Sequence, residues 1–212
     1  MSDIGAQTRA LWKDSSFTTR AHTRIRWTTA PFALVEKEIP ASGAILEIGC
    51  GHGLFSQFLA LSSPQRMVTG CDLDGEKIAE AKETSKSLTN LSFIHNDGAT
   101  LPDGPWDAIV IVDVLYLLDE AAQKSLLANA QKILRPGGII VIKELDVTPA
   151  WKFQVAKFQE VLATKVLRIT KGSSLTFRSL DDIAADLAPL KTSVQRIDRG
   201  YVHPHVLVTA RS

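Results

Sequence analysis

At 212 residues the chain is long enough to bury one hydrophobic core, and 45% hydrophobic with 22% charged residues is the composition of a folded globular domain. Lys and Arg number 24 against 23 Asp and Glu, a formal net charge of +1, so no global field draws the whole chain to nucleic acid or to a membrane. Cys50 and Cys71 belong to no CxxC pair or zinc-type cluster, and no stretch reaches the roughly 18 apolar residues of a spanning helix or has a signal-peptide core; buried thiols and a cytoplasmic location are expected.

Residues 1–40 read as N-terminal cap helices, and periodic segments follow one another from there without repeats or linkers. AILEIG is a short β-type run, and LFSQFLAL then puts Leu54, Phe58 and Leu61 on one helical face. RMVTGCDLD is a second strand ending in acids. EKIAEAKETSKSL repeats Ile78, Ala81 and Ser85 at helical spacing. LSFIHND is a third strand, and WDAIVIVDVL a fourth, apolar enough to be covered on both faces. From Glu120 to Leu134 helical spacing returns, RPGG predicts a turn with Gly137 at positive φ, and IIVIKEL is a fifth strand. TSVQRIDRG and HVLVTARS are two more strands at hairpin spacing, Gly200 to Pro204 between them. Such alternation means right-handed crossovers and an α/β, doubly wound, mostly parallel sheet with helices on both faces, closed by an antiparallel pair.

The stretch EIGCGHGLF carries Gly49, Gly51 and Gly53 directly after the first strand. Glycines there let backbone approach a ligand, and the start of the following helix favours an electron-rich group; a tight turn without ligand is the alternative. The dinucleotide pattern GxGxxG is not met, because Leu54 stands where its third glycine belongs. EIGCGHG instead resembles the first motif, ExGxGxG, of the class I S-adenosylmethionine-dependent methyltransferases. GCDLD, HNDGATLP, WDAIVIVDVLYLL and ILRPGGIIVI resemble that family's later segments in order and spacing, over about residues 43–146.

The resemblance implies a single domain over 1–212 with a seven-stranded sheet of order 3-2-1-4-5-7-6, the last strand antiparallel. It divides into a cofactor-binding core at 43–146, a lid helix insertion at 148–175, and a C-terminal helix and hairpin at 176–212. It implies S-adenosylmethionine as cofactor, S-adenosylhomocysteine as product and no metal. Gly49, Cys50, Gly51 and Gly53 would lie under the methionine portion, and Glu47 would support that loop or meet the ammonium. Asp72 would accept from the ribose hydroxyls, Leu73 would pack on the adenine, and Asp97, Gly98 and Ala99 would meet its edge. Asp113 and Val114 would sit beside the sulfonium, and Arg26 with Trp27 is a candidate for the cofactor's carboxylate. A carboxylate suits two vicinal hydroxyls, and acids suit a cationic ligand better than the lysine of a phosphate loop does. Asp74 is expected to cap the next helix, and Asp97 has a turn-forming alternative. Asp113 and Tyr116 are the catalytic candidates, with a packed aromatic the rival role for Tyr116. Asp119 and Glu120 are expected to begin a helix, His52 to line the loop, His95 to be core or edge, and His203 and His205 to be turn structure.

Two segments concentrate positive charge. Residues 151–171 carry Lys152, Lys157, Lys165, Arg168 and Lys171 against Glu160, along an apolar stripe through Trp151, Val155, Phe158, Leu162, Val166 and Ile169; residues 9–26 carry Arg9, Lys13, Arg20, Arg24 and Arg26 against Asp14. Each segment sums to +4, leaving −7 elsewhere. In the family these regions cover the acceptor, so a small-molecule or lipid-like, anionic acceptor is expected, with no nucleic acid. For the basic helix at 150–170 two readings stand: a lid with solvated lysines, or contact with an anionic membrane or an acyl carrier. Rival functions are a non-catalytic S-adenosylmethionine-binding regulator and an NAD-dependent oxidoreductase.

Overall fold

The computed structural model describes residues 2–96, 100–146 and 175–212, with side chains from residue 4. Three helices lead: α1 Ser2–Ala10, α2 Phe17–Thr29 and α3 Phe32–Glu36. Then come β1 Gly43–Ile48, α4 Leu54–Ser62, β2 Arg66–Asp72, α5 Gly75–Thr84, β3 Leu91–His95, β4 Trp106–Val112, α6 Glu120–Ile133 and β5 Leu134–Leu145. The chain ends with α7 Leu180–Asp186, β6 Lys191–Arg196 and β7 His205–Arg211. Helix starts follow local chemistry: Ser16, Asp74, Asp119 and Ser179 each accept a backbone N–H from the first turn they cap, 2.8 Å from Asp119 to Ala122 N.

The seven strands form one sheet in the order β3-β2-β1-β4-β5-β7-β6, the expected arrangement. β1 to β5 are mutually parallel, and β7 runs antiparallel between β5 and β6. Alternation along the central strands sends Ile45, Ala108, Val110, Ile139 and Val141 to one face, where Val35, Phe55 and Leu59 pack on them. Leu46, Ile109, Ile111, Ile140 and Ile142 go to the other, beneath Leu127, Ala130, Ile183 and Leu187. Two faces buried at once explain the unbroken apolar runs. Arg66, buried at the start of β2, ties the helical cap to the sheet: it pairs with Glu36 at 2.7 Å and donates to Pro40 O at 2.7 Å and Ile39 O at 3.0 Å.

Several boundaries differ from the sequence pattern. RPGG does not separate helix from strand; it lies inside β5, where Trp106 pairs Leu134 and Ala108 pairs Ile139, an irregularity that absorbs Gly137 at φ 79°. α5 stops at Thr84 because Ser85 turns its hydroxyl back to Ala81 O at 2.7 Å. The hairpin connection is longer than expected, with Ile197 N donating to His205 O at 2.9 Å. The expected helix across 148–175 lies outside the described residues, apart from its last residue, Leu175.

Candidate active site

The carboxyl ends of β1, β2 and β4 face a cleft of about 610 Å³, roofed by α2, at the point where strand order reverses. Its floor is the turn after β1. Gly49, Gly51 and Gly53 have φ of 74°, 55° and 78°, all in the left-handed region that glycine enters without strain. A Cβ at Gly49 would collide with the Val114 side chain, whereas one at Gly51 would meet nothing and project into open space. The turn is pinned to β2: Gly49 N and Cys50 N both donate to Cys71 O, at 2.8 and 3.0 Å.

Asp72 closes β2 and fixes the same turn. One carboxylate oxygen accepts from Gly51 N at 2.7 Å and the other from Asp74 N at 2.8 Å. That arrangement sets the plane of the carboxylate and leaves each oxygen a second lone pair. Glu47 lies behind the turn, 3% exposed, and accepts from the Ser56 hydroxyl. Burial pushes its pKa up to about 7; Ser56 opposes the shift and Asp72 adds to it.

Beyond β4 Arg26 and Asp113 line the cleft, with a buried ionisable cluster of Lys143, Glu144 and His205 behind them. Asp113 has φ 58°, a conformation that costs a non-glycine residue about 1–2 kcal/mol. It is kept there by its N–H to Lys143 O at 3.0 Å and by an ion pair with the Lys143 ammonium. Arg26 Nη2 of α2 lies 2.8 Å from its second oxygen, in ion-pair range but without an N–H aimed along the lone pair. Burial opposes ionisation of Asp113, but Lys143 and then Arg26 outweigh it and hold the carboxyl well below its usual range. A carboxylate held so firmly is a poor proton acceptor. Lys143 itself is lowered by burial, against the pull of Asp113. Next to it Glu144 accepts from Leu115 N at 2.8 Å and Val114 N at 3.1 Å, and burial, then Asp113, push it up to about 8. His205 donates from Nε2 to Thr29 O at 2.8 Å; burial and then Lys143 push it down to about 3, so the ring is neutral.

The cleft gathers Arg26, Glu47, Gly49, Cys50, Gly51, Asp72, Leu73, Asp113, Val114 and Tyr116 of the residues singled out by sequence. Gly53 stands one step behind, ending the turn as the N-cap of α4. Asp97, Gly98 and Ala99 lie outside the described residues. Tyr116 is buried and stacks on Phe177 at 5.2 Å, so it is a packed aromatic that also borders the cleft. Asp74 and Asp119 cap helices, His95 lies on the edge strand β3, and both cysteines are buried. Among the described residues no three His, Cys, Asp or Glu side chains converge in a metal-binding group.

Lys143, Glu144 and His22 were not singled out by sequence. Two charges inside IIVIKEL were the available signal for the first pair, since a strand covered on both faces has no cheap place for them. His22 shows only its helical spacing from Arg26; its ring lies 5.2 Å from that of His52, and burial, then His52, lower its pKa to about 4.

Residues 45–138 match the profile of the family described as Methyltransferase domain. Among curated relatives, a fatty-acid O-methyltransferase of Mycolicibacterium smegmatis is 26% identical over 155 residues, covering 72% of this chain and 54% of its own length. A phthiotriol/phenolphthiotriol dimycocerosates methyltransferase of Mycobacterium tuberculosis is 28% identical over 149 residues, 65% of this chain and 54% of its own length. The chain thus spans about half the length of these relatives. The fold is shared with the N-methyltransferase NodS of Bradyrhizobium japonicum, solved with S-adenosyl-L-homocysteine: TM-score 0.59, 18% identity, over 95% of this chain and 90% of that one.

Proposed function

We propose, from the premise that this chain carries a methyltransferase domain of the class I Rossmann-like fold, that it transfers a methyl group from S-adenosylmethionine to a lipid-like or other small-molecule acceptor bearing an acidic group. The observation that carries the reading is the turn at 49–53, open to the cleft at Gly51 and held by the Asp72 carboxylate. A backbone cradle with carboxylates on its flank, and no lysine within it, fits a cationic nucleoside better than a pyrophosphate.

On this reading Gly49, Cys50 and Gly51 lie against the methionine portion, with Gly53 closing the turn. Glu47 offsets the ammonium, and Asp72 uses its free lone pairs for the ribose hydroxyls. Leu73, 48% exposed on the cleft rim, covers the adenine, with Asp97, Gly98 and Ala99 at its edge. Val114 packs on the turn beside the reacting centre. When bound, S-adenosylmethionine supplies a methyl carbon already activated by positive sulfur, so the protein's task is alignment and exclusion of water.

The acceptor side supports an anionic group. Arg26 lines the cleft 2.8 Å from Asp113, whose other oxygen is already paired with the buried Lys143, while Glu144 has its pKa raised to about 8 and the neighbouring His205 is neutral. Arg26 is the cation that a carboxylate head would meet, and a carboxylate acceptor needs no protein base. Asp113 then acts by aiming Arg26 and fixing the backbone at Val114, and Tyr116 as an aromatic wall. A fatty-acid O-methyltransferase among the relatives agrees with that class of acceptor.

The test has two stages. Calorimetry is expected to show S-adenosylhomocysteine binding and none for NAD; the reverse result removes both the methyltransferase and the regulator readings. A methyl-label screen over fatty acids, phenols and amines is then expected to label carboxylic acids, and cofactor binding without label on any of them would favour the regulator.

A further inference from the structure

The cap has a second concave feature, separate from the glycine turn. Between α1 and α2 lies a cavity of about 330 Å³ ringed by Arg9, Lys13, Arg20 and Arg24 over a floor of Trp12 and Leu54, with no carboxylate among the described residues that line it. Two of the four cations are anchored: Arg20 Nη1 donates to Lys13 O at 3.1 Å, and the Arg9 guanidinium lies 5.3 Å from the Trp27 ring centroid. Asp14, the one acid from residue 9 to 26, points to solvent and reaches Lys13 only at 4.0 Å.

Flanking this cavity, α2 exposes two large apolar side chains, Phe17 at 78% and Ile25 at 60%. Phe17, Arg20 and Arg24 follow one another at three- and four-residue steps, so apolar and cationic groups share the helix's outer side. Phe17 and Ile25 stand two turns apart with arginines between them, unlike the contiguous apolar centre of a protein interface. Their spacing suits a fluid surface that accepts each apolar group separately while its charge faces the cations.

We propose that the outer face of α1 and α2 docks on an anionic lipid surface, headgroup phosphates entering the basic cavity while Phe17 and Ile25 enter the acyl boundary. Its use rests on the lipid-like acceptor proposed above. Thr23 and Leu54 border both this cavity and the main cleft, so an acceptor drawn from the surface would have the cleft on the other side of one wall. Charge complementarity selects the occupant: four cations against the one solvent-facing Asp14 fit a negative surface and gain little on a zwitterionic one.

Co-sedimentation of the full chain with vesicles tests the inference. Binding is expected to vesicles containing phosphatidylglycerol, not to pure phosphatidylcholine, and to weaken with salt. The R20E/R24E variant is expected to lose at least about 25-fold in partitioning, roughly five-fold for each arginine removed. Phe17→Ser with Ile25→Ser is expected to lose binding while keeping every charge. Calorimetry with S-adenosylhomocysteine should give unchanged affinity for both variants, which shows that they fold. A wild-type chain that binds S-adenosylhomocysteine yet stays in the supernatant overturns the docking and leaves the methyltransferase reading standing. Binding that survives either pair of substitutions overturns it too, because the surface is then held by another part of the chain or by charge alone.

Discussion

On the β1–β2 side of the cleft the walls are largely backbone. Three glycines turn the chain, N–H groups of the turn find Cys71 O and Asp72, and Glu47, buried behind them, is eased toward neutrality. On the β4–β5 side the cleft is lined by Arg26 of α2 and Asp113, which follows β4, backed by the buried Lys143 and Glu144 of β5 and the neutral His205 of β7, and the strained Asp113 backbone is held by the ion pairs its side chain makes. The first side fixes its geometry by local chain conformation and tolerates a change of ligand contact. The second fixes its geometry by mutual attraction in a poorly solvated place, so it fails when one member is removed.

The largest expected effect follows from that contrast. Lys143→Met leaves Asp113 buried with Arg26 alone, and loss of one partner of a buried pair costs about 3–5 kcal/mol. Urea unfolding is expected to show that loss, and the double variant K143M/D113N, which removes both charges, is expected to recover most of it. Affinity of the folded K143M protein for S-adenosylhomocysteine should change less than its stability does, because the glycine turn is anchored mainly to Cys71 and Asp72 of β2. If the single variant is as stable as the parent, the Lys143 ion pair does not hold Asp113.

The same contrast explains what could be read from the residues. Strand order, the glycine turn and Asp72 are local or follow from chain order: GCGHG forces a turn wherever it sits, and the acid closing β2 needs only its neighbour's register, Cys71 against Ile48. Arg26, Asp113, Lys143, Glu144 and His205 meet only because α2 folds back over the sheet and β7 inserts beside β5. No periodicity records that meeting. Lys143 and Glu144 break an apolar run, which announces that a partner exists without naming it. The RPGG turn misled for a related reason: its dihedral preference was satisfied, yet β4 pairing continued past it.

A smaller effect is expected on the cofactor side. Asp72→Ala removes a charged acceptor and leaves Gly51 N and Asp74 N without it, so affinity for S-adenosylhomocysteine should fall by about 1–3 kcal/mol, roughly 5- to 150-fold. Unchanged affinity by calorimetry would remove Asp72 from the ribose contact.

The finest distinction concerns Glu47, whose pKa in the folded chain is raised to about 7 from 4.5. A raised carboxyl favours the folded state when protonated, so its contribution to stability is full below about pH 4.5 and declines as pH rises toward about 7. Ligand binding runs the other way. A cationic ammonium beside Glu47 favours the ionised form, so binding near neutrality releases a proton and tightens as pH rises. Between pH 6 and 8 the affinity for S-adenosylhomocysteine should increase up to about ten-fold, and Glu47→Gln should flatten that profile. Calorimetry in buffers of different ionisation enthalpy reads the released proton directly. A flat profile in the parent chain would mean that the ligand's ammonium lies elsewhere, and that Glu47 serves the turn through Ser56 alone.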